Sequence, residues 1–449
     1  MLKLYNTLTR KKEVFKPIKV GKIGMYVCGP TLNGIPHLGH AMSQISFDVL
    51  RRYLIFSGFD VEFVSNITDI DDKIIAGANE AGIGIDEFSE KNLKAHTVEY
   101  EKLNIMKPDV QPRATDYVKD MIGLVKKLEK KGVTYLIEGD GVYFDISKFD
   151  DYGKLSGQNV EDLEGGKRVA VDGKKNNGDF ALWKLAKEGE PSWDSPWGEG
   201  RPGWHIECSA MSEKILGLPF DIHGGGSDLI FPHHEDEVAQ SETGYGKEMA
   251  KFWVHNGMVT VGGKKMGKSL GNFKNIEDLD YAPMVIRYFV VSNQYRKPLD
   301  FSKTALDDAR NSYERLKRLC LAAKDARKSE VGSRKSEEKV NEKYLKMFEK
   351  EMDDDLNAPR AMAVLWKLVR DSDADGKVGT IRKMDEVFGL ELLDKEEVLI
   401  PAKVQDIVDE REGARAGKDF ARSDLLRDRL KDMGWIVRDG KDGVEVEKG

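Results

Sequence analysis

A stretch of about 45 residues near the N-terminus restricts the fold more than any other part of the chain. Ile23-Gly24-Met25-Tyr26-Val27-Cys28-Gly29 is a short apolar run closed by glycine, the pattern of a buried strand ending in a turn. Pro30 to Pro36 reads as a loop. From His37 to about Ser57 apolar residues return at helical spacing (Ile45, Val49, Leu50, Tyr53, Leu54), and Gly58 is placed to end that helix. Val61 to Ile67 is a second apolar run of strand length. Two strands joined by a helix cannot pair as a hairpin; they lie parallel, with a crossover connection between them. The fold class is therefore α/β with a parallel sheet.

Further along, residues 114–131 read as a helix with Val118, Met121, Ile122, Val125 and Leu128 inward. Val133–Tyr135 and Val142–Phe144 read as short strands around Gly139-Asp140-Gly141. Residues 150–200 are rich in Gly, Lys and Asp and read as an insertion with long loops. Trp183, Trp193, Trp197 and Trp204 fall close together there, which predicts an ordered surface rather than a loose linker. After about residue 300 glycine thins out and Lys, Glu, Leu and Ala dominate at helical spacing until about 390, the texture of a helical bundle. Glu397–Pro401 reads as a linker, residues 402–432 as two helices broken near Gly417, and the end of the chain as a hairpin. The expected domains are 1–300, with an insertion at about 100–200, then 301–395 and 402–449.

Composition excludes several function classes. No run of 18 or more apolar residues exists, so no membrane span is expected. The first residues lack the apolar core of a signal peptide, and three cysteines cannot build a disulfide framework, so the expected setting is a reducing cytoplasm. A net charge of −7 argues against non-specific coating of nucleic acid while leaving room for a local nucleic-acid surface.

Two motifs carry chemistry. Pro36-His37-Leu38-Gly39-His40 opens the first crossover helix, where free backbone N–H groups and the helix dipole favour an anion; the two histidines could hydrogen-bond phosphate oxygens, or could be ordinary capping residues. Lys264-Lys265-Met266-Gly267-Lys268-Ser269-Leu270-Gly271-Asn272 is a glycine-bearing lysine loop that could fold over a triphosphate, or be an exposed basic turn. In order and separation the pair resembles the HIGH and KMSKS signatures of class I aminoacyl-tRNA synthetases. Leu38 stands for isoleucine in the first. Gly267 replaces the first serine of the second, while both lysines and Ser269 remain.

A third set of motifs narrows the resemblance. Tyr26-Val27-Cys28-Gly29-Pro30-Thr31, Pro202-Gly203-Trp204-His205-Ile206-Glu207-Cys208, and Phe220-Asp221-Ile222-His223-Gly224-Gly225-Gly226-Ser227-Asp228 running into Phe231-Pro232-His233-His234-Glu235 are similar to those of the cysteinyl-tRNA synthetases over the whole length. The resemblance implies a Rossmann-like catalytic domain with an inserted connective segment, an all-α bundle and a small anticodon-binding module. It implies ligation of L-cysteine to tRNA(Cys) through a cysteinyl adenylate, with Mg²⁺ accompanying ATP, by a chain expected to be monomeric. His37, His40 and Lys268, helped by Lys265, are the expected catalytic and ATP-binding residues. Thr31, Thr68, Trp204, His223 and Asp228 are expected around the substrates. A cysteine ligase acting on an aminosugar-inositol, which would be expected to lack the C-terminal module, and a non-catalytic tRNA-binding paralogue are the alternatives.

Cys28, Cys208, His233 and Glu237 have zinc-binding side chains, and the last two are spaced i, i+4, one helical turn apart. His234 could substitute for His233; the family match favours His233. A structural zinc with four protein ligands is the competing use, but structural sites keep paired ligands close in sequence. One of these ligands instead ends the first sheet strand, where α/β folds bind substrates. Zinc prefers a soft thiolate to a hydroxyl, whereas an apolar pocket separates similar small side chains by only about 1–3 kcal/mol. In the C-terminal 48 residues the resemblance places Arg415, Phe420, Asp424 and Asp439 at the anticodon, with a salt-bridged helix surface as the alternative for each. Phe420 stands where the bacterial pattern has tryptophan. Cys320, in a Lys/Leu-rich helix, is expected to be a small buried hydrophobe.

Overall fold

The computed structural model describes residues 1–158, 173–267, 272, 274–328, 339–394, 401–440 and 443–448. They fall into two compact units, Met1–Leu393 and Asp394–Gly449.

The first unit is organised by the expected strand–helix–strand. β1 is Lys22–Val27, α1 Leu38–Phe56 and β2 Asp60–Ser65. The chain returns to the same sheet much later, through α2 (Trp204–Leu216), β3 (Phe220–Gly226), α3 (Glu235–Tyr245) and β4 (Ala250–Asn256). The four strands are parallel, in the spatial order β4-β3-β1-β2. β1 feeds outward to β2 on one side, and β3 feeds outward to β4 on the other. The winding direction thus reverses between β1 and β3, and the carboxyl ends of these two strands border a crevice of the kind in which open α/β sheets bind ligands.

Period-two alternation sorts each strand between two cores. Ile23, Met25 and Val27 of β1, with Val61 and Phe63 of β2 and Phe252 and Val254 of β4, join α1 in one core. Tyr26, Cys28, Val64 and Trp253 face the other. The second core is closed by the insertion: a helix at Val118–Lys130 and a four-stranded antiparallel sheet of Thr134–Ile137, Gly141–Phe144, Phe180–Leu185 and Gly200–Pro202. The tryptophan-rich stretch is ordered, as its clustering predicts: Trp183 is fully buried, and Trp193 and Trp197 pack against the same core.

Helices Lys303–Lys328, Glu342–Met352, Ala358–Arg370 and Lys377–Phe388 form the bundle. Their apolar faces continue the core of α1, and Cys320 lies fully buried in it. One buried cation links these parts. Arg287 sits in α4 (Pro283–Val291), an otherwise apolar helix. Its Nε donates to the Phe388 carbonyl at 2.7 Å and its Nη1 to the carbonyls of Leu103 and Asn104 at 2.9 and 3.0 Å, while Nη2 pairs with Asp48 of α1. Both Arg287 and Asp48 are buried.

The second unit consists of helices Ala402–Ala416 and Phe420–Asp432 and the hairpin Trp435–Gly440 with Gly443–Lys448. Val404, Ile407, Val408, Leu426, Leu430, Trp435 and Val437 make its core.

Candidate active site and metal cluster

The crevice at the ends of β1 and β3 is a cleft of about 390 Å³. Cys28 follows β1 directly, and its N–H donates to the Gly224 carbonyl of β3 at 3.1 Å, so the end of β1 is tied to its neighbour. Gly29 comes so close to the next turn that a Cβ there would stand 1.6 Å from the Asn66 carbonyl oxygen. Cys208 reaches the cleft from α2. His233 and His234 lie in the turn just ahead of α3, and Glu237 in its first turn.

Cys28 Sγ is 3.6 Å from Cys208 Sγ and 3.6 Å from Glu237 Oε1, and His233 Nε2 is 2.9 Å from the same Glu237 oxygen. One donor atom from each of the four lies within 4.8 Å of the others, and all four residues are buried. They could hold a metal ion. A second, overlapping quartet of Cys28, His223, His234 and Glu237 meets the same distance criterion. Proximity alone therefore leaves His234 in contention, its Nε2 being 3.3 Å from Cys28 Sγ.

The charges in this cluster polarise one another. Burial pushes the Cys28 thiol up, and its hydrogen bond to Cys208 does so further. Burial also acts to raise Cys208, but hydrogen bonds with Cys28 and His233 bring it down to about 6. Against the same burial penalty His223 and His233 hold Glu237 at about 2. Burial disfavours charge on His233, yet Glu237 and Cys208 raise it well above the usual imidazole range. Thiolate, carboxylate and imidazole thus already behave as a set of mutually compensating donors before any cation is added.

A second group sits at the other end of the cleft. His37 caps α1: its Nδ1 accepts from the N–H of Gly39 at 3.0 Å and of His40 at 3.4 Å, while His40 Nδ1 accepts from the N–H of His37 at 3.2 Å. Two imidazoles thereby form a reciprocal capping box, and their rings stack at 3.7 Å. An imidazole whose Nδ1 accepts must carry its proton on Nε2. Gly39 is required here, since a Cβ would stand 2.9 Å from His37 Cε1. The segment after the lysine loop is pinned alongside by an isolated bridge between His37 and Asn275: Leu38 N–H donates to the Lys274 carbonyl at 3.2 Å and Ile276 N–H to the Pro36 carbonyl at 3.0 Å. Behind His40, helix Ile85–Lys102 holds the preceding loop, with Asn92 Nδ2 donating to the Leu32 carbonyl at 2.9 Å and His96 Nε2 to the Gly34 carbonyl at 3.1 Å.

Burial lowers His40 well below the usual imidazole range and His96 to about 4. The unfolded imidazoles bind protons near pH 6.5, which the folded ones refuse, so stability is full above that pH and falls as pH drops towards 4. Urea unfolding at pH 7, 6 and 5 is expected to show this loss, at most about 1.4 kcal/mol per pH unit per histidine. His96→Gln is expected to remove its share of the slope.

Ten of the expected residues line the one cleft: Cys28, Thr31, His37, His40, Thr68, Trp204, Cys208, Asp228, His233 and Lys265. Thr31 and Thr68 are neighbours in a parallel bridge, and Thr68 Oγ1 donates to Glu207 Oε2 at 2.6 Å. The Trp204 ring stacks on His233 at 4.3 Å. Glu237 lies beneath the cleft. His223, expected on the pocket wall, is instead fully buried behind Glu237, its Nε2 2.7 Å from Oε2. Its register partner in β1 is Tyr26, so it points into the core below the floor. Lys268, Ser269, Leu270 and Gly271 lie outside the described residues.

Sequence reasoning missed His205, His255, His96 and Asn66. All eight histidines of the chain stand in these two groups, three at the helix start and five around the metal cluster, and that clustering of a scarce residue was the available signal. In the second unit, Asp439 accepts both Nη atoms of the buried Arg411 at 2.9 Å and pairs with Arg415 at 2.9 Å, which holds its carboxyl below the usual range. Asp424 pairs with Arg427 at 3.1 Å. Phe420 is 62% exposed.

Comparison with known proteins places the chain in a family. The pattern of the family described as "tRNA synthetases class I (C) catalytic domain" matches residues 14–311. The "DALR domain" matches 347–393, and the "Cysteinyl-tRNA ligase anticodon binding domain" matches 398–446. The chain is 44% identical over 465 residues to the cysteine–tRNA ligase of Vibrio atlanticus (strain LGP32) and 46% identical over 463 residues to that of Francisella philomiragia subsp. philomiragia, with 99% of each chain covered. Methionyl-tRNA synthetase of Mycobacterium tuberculosis in complex with methionyl-adenylate shares the fold, with a TM-score of 0.59 at 16% identity over 83% of this chain and 90% of that one.

Proposed function

The chain belongs to the cysteinyl-tRNA synthetase family of class I enzymes and ligates cysteine to tRNA at the expense of ATP, and we propose that Cys28, Cys208, His233 and Glu237 hold a zinc ion at the floor of its cysteine pocket. The observation that carries this reading is the position of the buried donor quartet, at the end of β1 in the same cleft as the histidine-capped helix start. The donor set fits the metal: two sulfurs, an imidazole and a carboxylate, buried together, suit zinc and little else among the common divalent ions. Bound there, zinc would supply a Lewis acid that favours a thiolate over a hydroxyl.

The residues of the chain do the remaining work by positioning. Trp204, stacked on His233, covers the floor and excludes water from the substrate side chain. Thr31, Thr68 and Asp228 border the space above it, where the amino group and the adenosine bind. The carboxylate of L-cysteine attacks the α-phosphate of ATP, and pyrophosphate leaves; Mg²⁺ would accompany the triphosphate and offset its charge. The Nε2–H groups of His37 and His40 and the N-terminus of α1 stabilise the charge that develops on the pentavalent phosphorus, with Lys265 and Lys268 meeting the leaving phosphates. The 3′-terminal ribose of tRNA(Cys) then attacks the cysteinyl adenylate. No protein nucleophile takes part. Arg415, Phe420, Asp424 and Asp439 belong to an anticodon-reading surface, in which the exposed Phe420 ring stacks on a base and Arg411 fixes the Asp439 carboxylate.

Cysteine-dependent ATP–pyrophosphate exchange, measured together with zinc content, tests this reading; exchange that runs equally well with serine would refute it. Gly39→Ala is a narrower test of the phosphate end. The added methyl must displace the His37 ring by a fraction of an ångström to an ångström, and misplacement on that scale costs about 10²-fold. The expected result is such a fall in kcat/KM for ATP, with KM for cysteine within about twofold of wild type.

A further inference from the structure

The non-ligating side of His233 is not left to solvent. His233 Nδ1 is 2.9 Å from His205 Nδ1, His205 Nε2 is 3.3 Å from Asp236 Oδ2, and Asp236 Oδ1 accepts from the Tyr152 hydroxyl at 2.5 Å. Asp236 is fully buried. Tyr152 comes from the insertion, whose next turn is clamped to the start of α3: Glu235 accepts from the backbone N–H of Gly153 at 3.0 Å and of Ser156 at 2.7 Å.

A carboxylate can only accept, so it gives this chain of contacts a direction. With Asp236 Oδ2 3.3 Å from it, Nε2 is the His205 nitrogen on which the carboxylate favours the proton. His205 Nδ1 is then the acceptor, and the proton between the two rings belongs to His233 Nδ1. With Nδ1 protonated, Nε2 is the nitrogen that faces Cys208 and Glu237; the proton it gives to Glu237 Oε1 at 2.9 Å is the one a metal would displace. Among the described residues His234 has no such director. Its Nδ1 meets His255 Nε2 at 2.7 Å, and His255 Nδ1 meets the Thr7 hydroxyl at 2.8 Å. A hydroxyl both donates and accepts, so that row fixes no tautomer.

We propose that Asp236 and His205 are positioning residues that lock His233 in the metal-ligating tautomer, and that this lock, held by Tyr152 of the insertion, is what selects His233 over His234 as ligand. The proposal rests on the zinc reading given above. Partners of this kind, which orient a metal-bound histidine through its second nitrogen, are worth about 10–100-fold in metal affinity.

Asp236→Asn is the direct test. An amide can turn either its oxygen or its NH₂ group to His205 Nε2, so it no longer dictates which nitrogen of His205 carries the proton, and the lock on His233 is lost.

The experiment is chelator competition for Zn²⁺ with the full chain, backed by the absorption spectrum of the Co²⁺-substituted protein and by the KM values for cysteine and ATP. D236N is expected to weaken Zn²⁺ binding 10–100-fold and to perturb the Co²⁺ spectrum, with KM for ATP unchanged. Zn²⁺ affinity of D236N within twofold of wild type overturns the proposal. Should D236N fail to fold, H205F, which removes the link without touching Asp236, is expected to show the same zinc loss, and unchanged affinity there overturns it equally. A wild-type chain that binds no zinc, or exchanges pyrophosphate equally well with serine, would instead sink the reading on which the proposal stands.

Discussion

Cys28→Ser is expected to abolish stoichiometric zinc binding and to lower cysteine-dependent pyrophosphate exchange by two orders of magnitude or more, since losing even an outer-sphere partner of a metal ligand costs about 10–100-fold. The substitution exchanges one sulfur for oxygen in a buried set and leaves the shape almost unchanged. It keeps the backbone tie from Cys28 to Gly224, so the sheet should hold. The diagnostic quantity is the ratio of exchange rates with cysteine and serine. The wild-type ratio should collapse towards the few-kcal/mol limit that an apolar pocket can provide. Selectivity that survives intact in a zinc-free Cys28→Ser protein would show that the pocket walls, rather than the metal, choose the substrate.

Arg287→Met is expected to be the most damaging single change to stability, about 3–5 kcal/mol, read from urea unfolding followed by circular dichroism. The side chain is replaced by one of similar length, so little packing is lost. What goes is the guanidinium that satisfies the buried Phe388 and Leu103 carbonyls, the half-buried Asn104 carbonyl and the Asp48 carboxylate. Asp48 keeps Arg52 Nε at 2.7 Å as a partner, which limits the loss. The double variant Arg287→Met/Asp48→Asn should regain a measurable part of it, because neutralising the carboxylate removes the uncompensated buried charge. A stability change below about 1 kcal/mol would mean that water or neighbouring groups take over the abandoned acceptors.

The parts of this molecule that could be read from sequence are those whose cause is local. β1, α1 and β2 announce themselves because period two and period 3.6 are written in neighbouring residues, and the two C-terminal helices and hairpin do so for the same reason. The paired histidines of α1 were legible as a helix start, but their reciprocal capping was not, since Ser, Thr, Asn or Asp usually does that work. His223, placed around the substrates by the family resemblance, lies on the face of β3 beneath Glu237, because strand register sends alternate side chains to opposite faces. The contacts of His205 with His233 and of Tyr152 with Asp236 span 28 and 84 residues of chain, and no periodicity encodes such meetings. Arg287 was in principle visible, as one charge inside the apolar run Pro283-Met284-Val285-Ile286-Arg287-Tyr288-Phe289-Val290-Val291, but its four partners were not.

The hydrogen bond between Cys28 and Gly224 has a geometric meaning beyond stability. It places the sulfur-bearing end of β1 and the Asp228-bearing turn after β3 on two adjacent strands of one rigid sheet, and strand spacing varies by only about a tenth of an ångström. Under the proposed function, the floor of the pocket and the seat of the nucleotide could not drift apart to suit a longer guest. A substrate held at its sulfur would have to reach the phosphorus with a fixed number of bonds, so the sheet would act as a gauge of side-chain length while the donor cluster tested for the element at the tip.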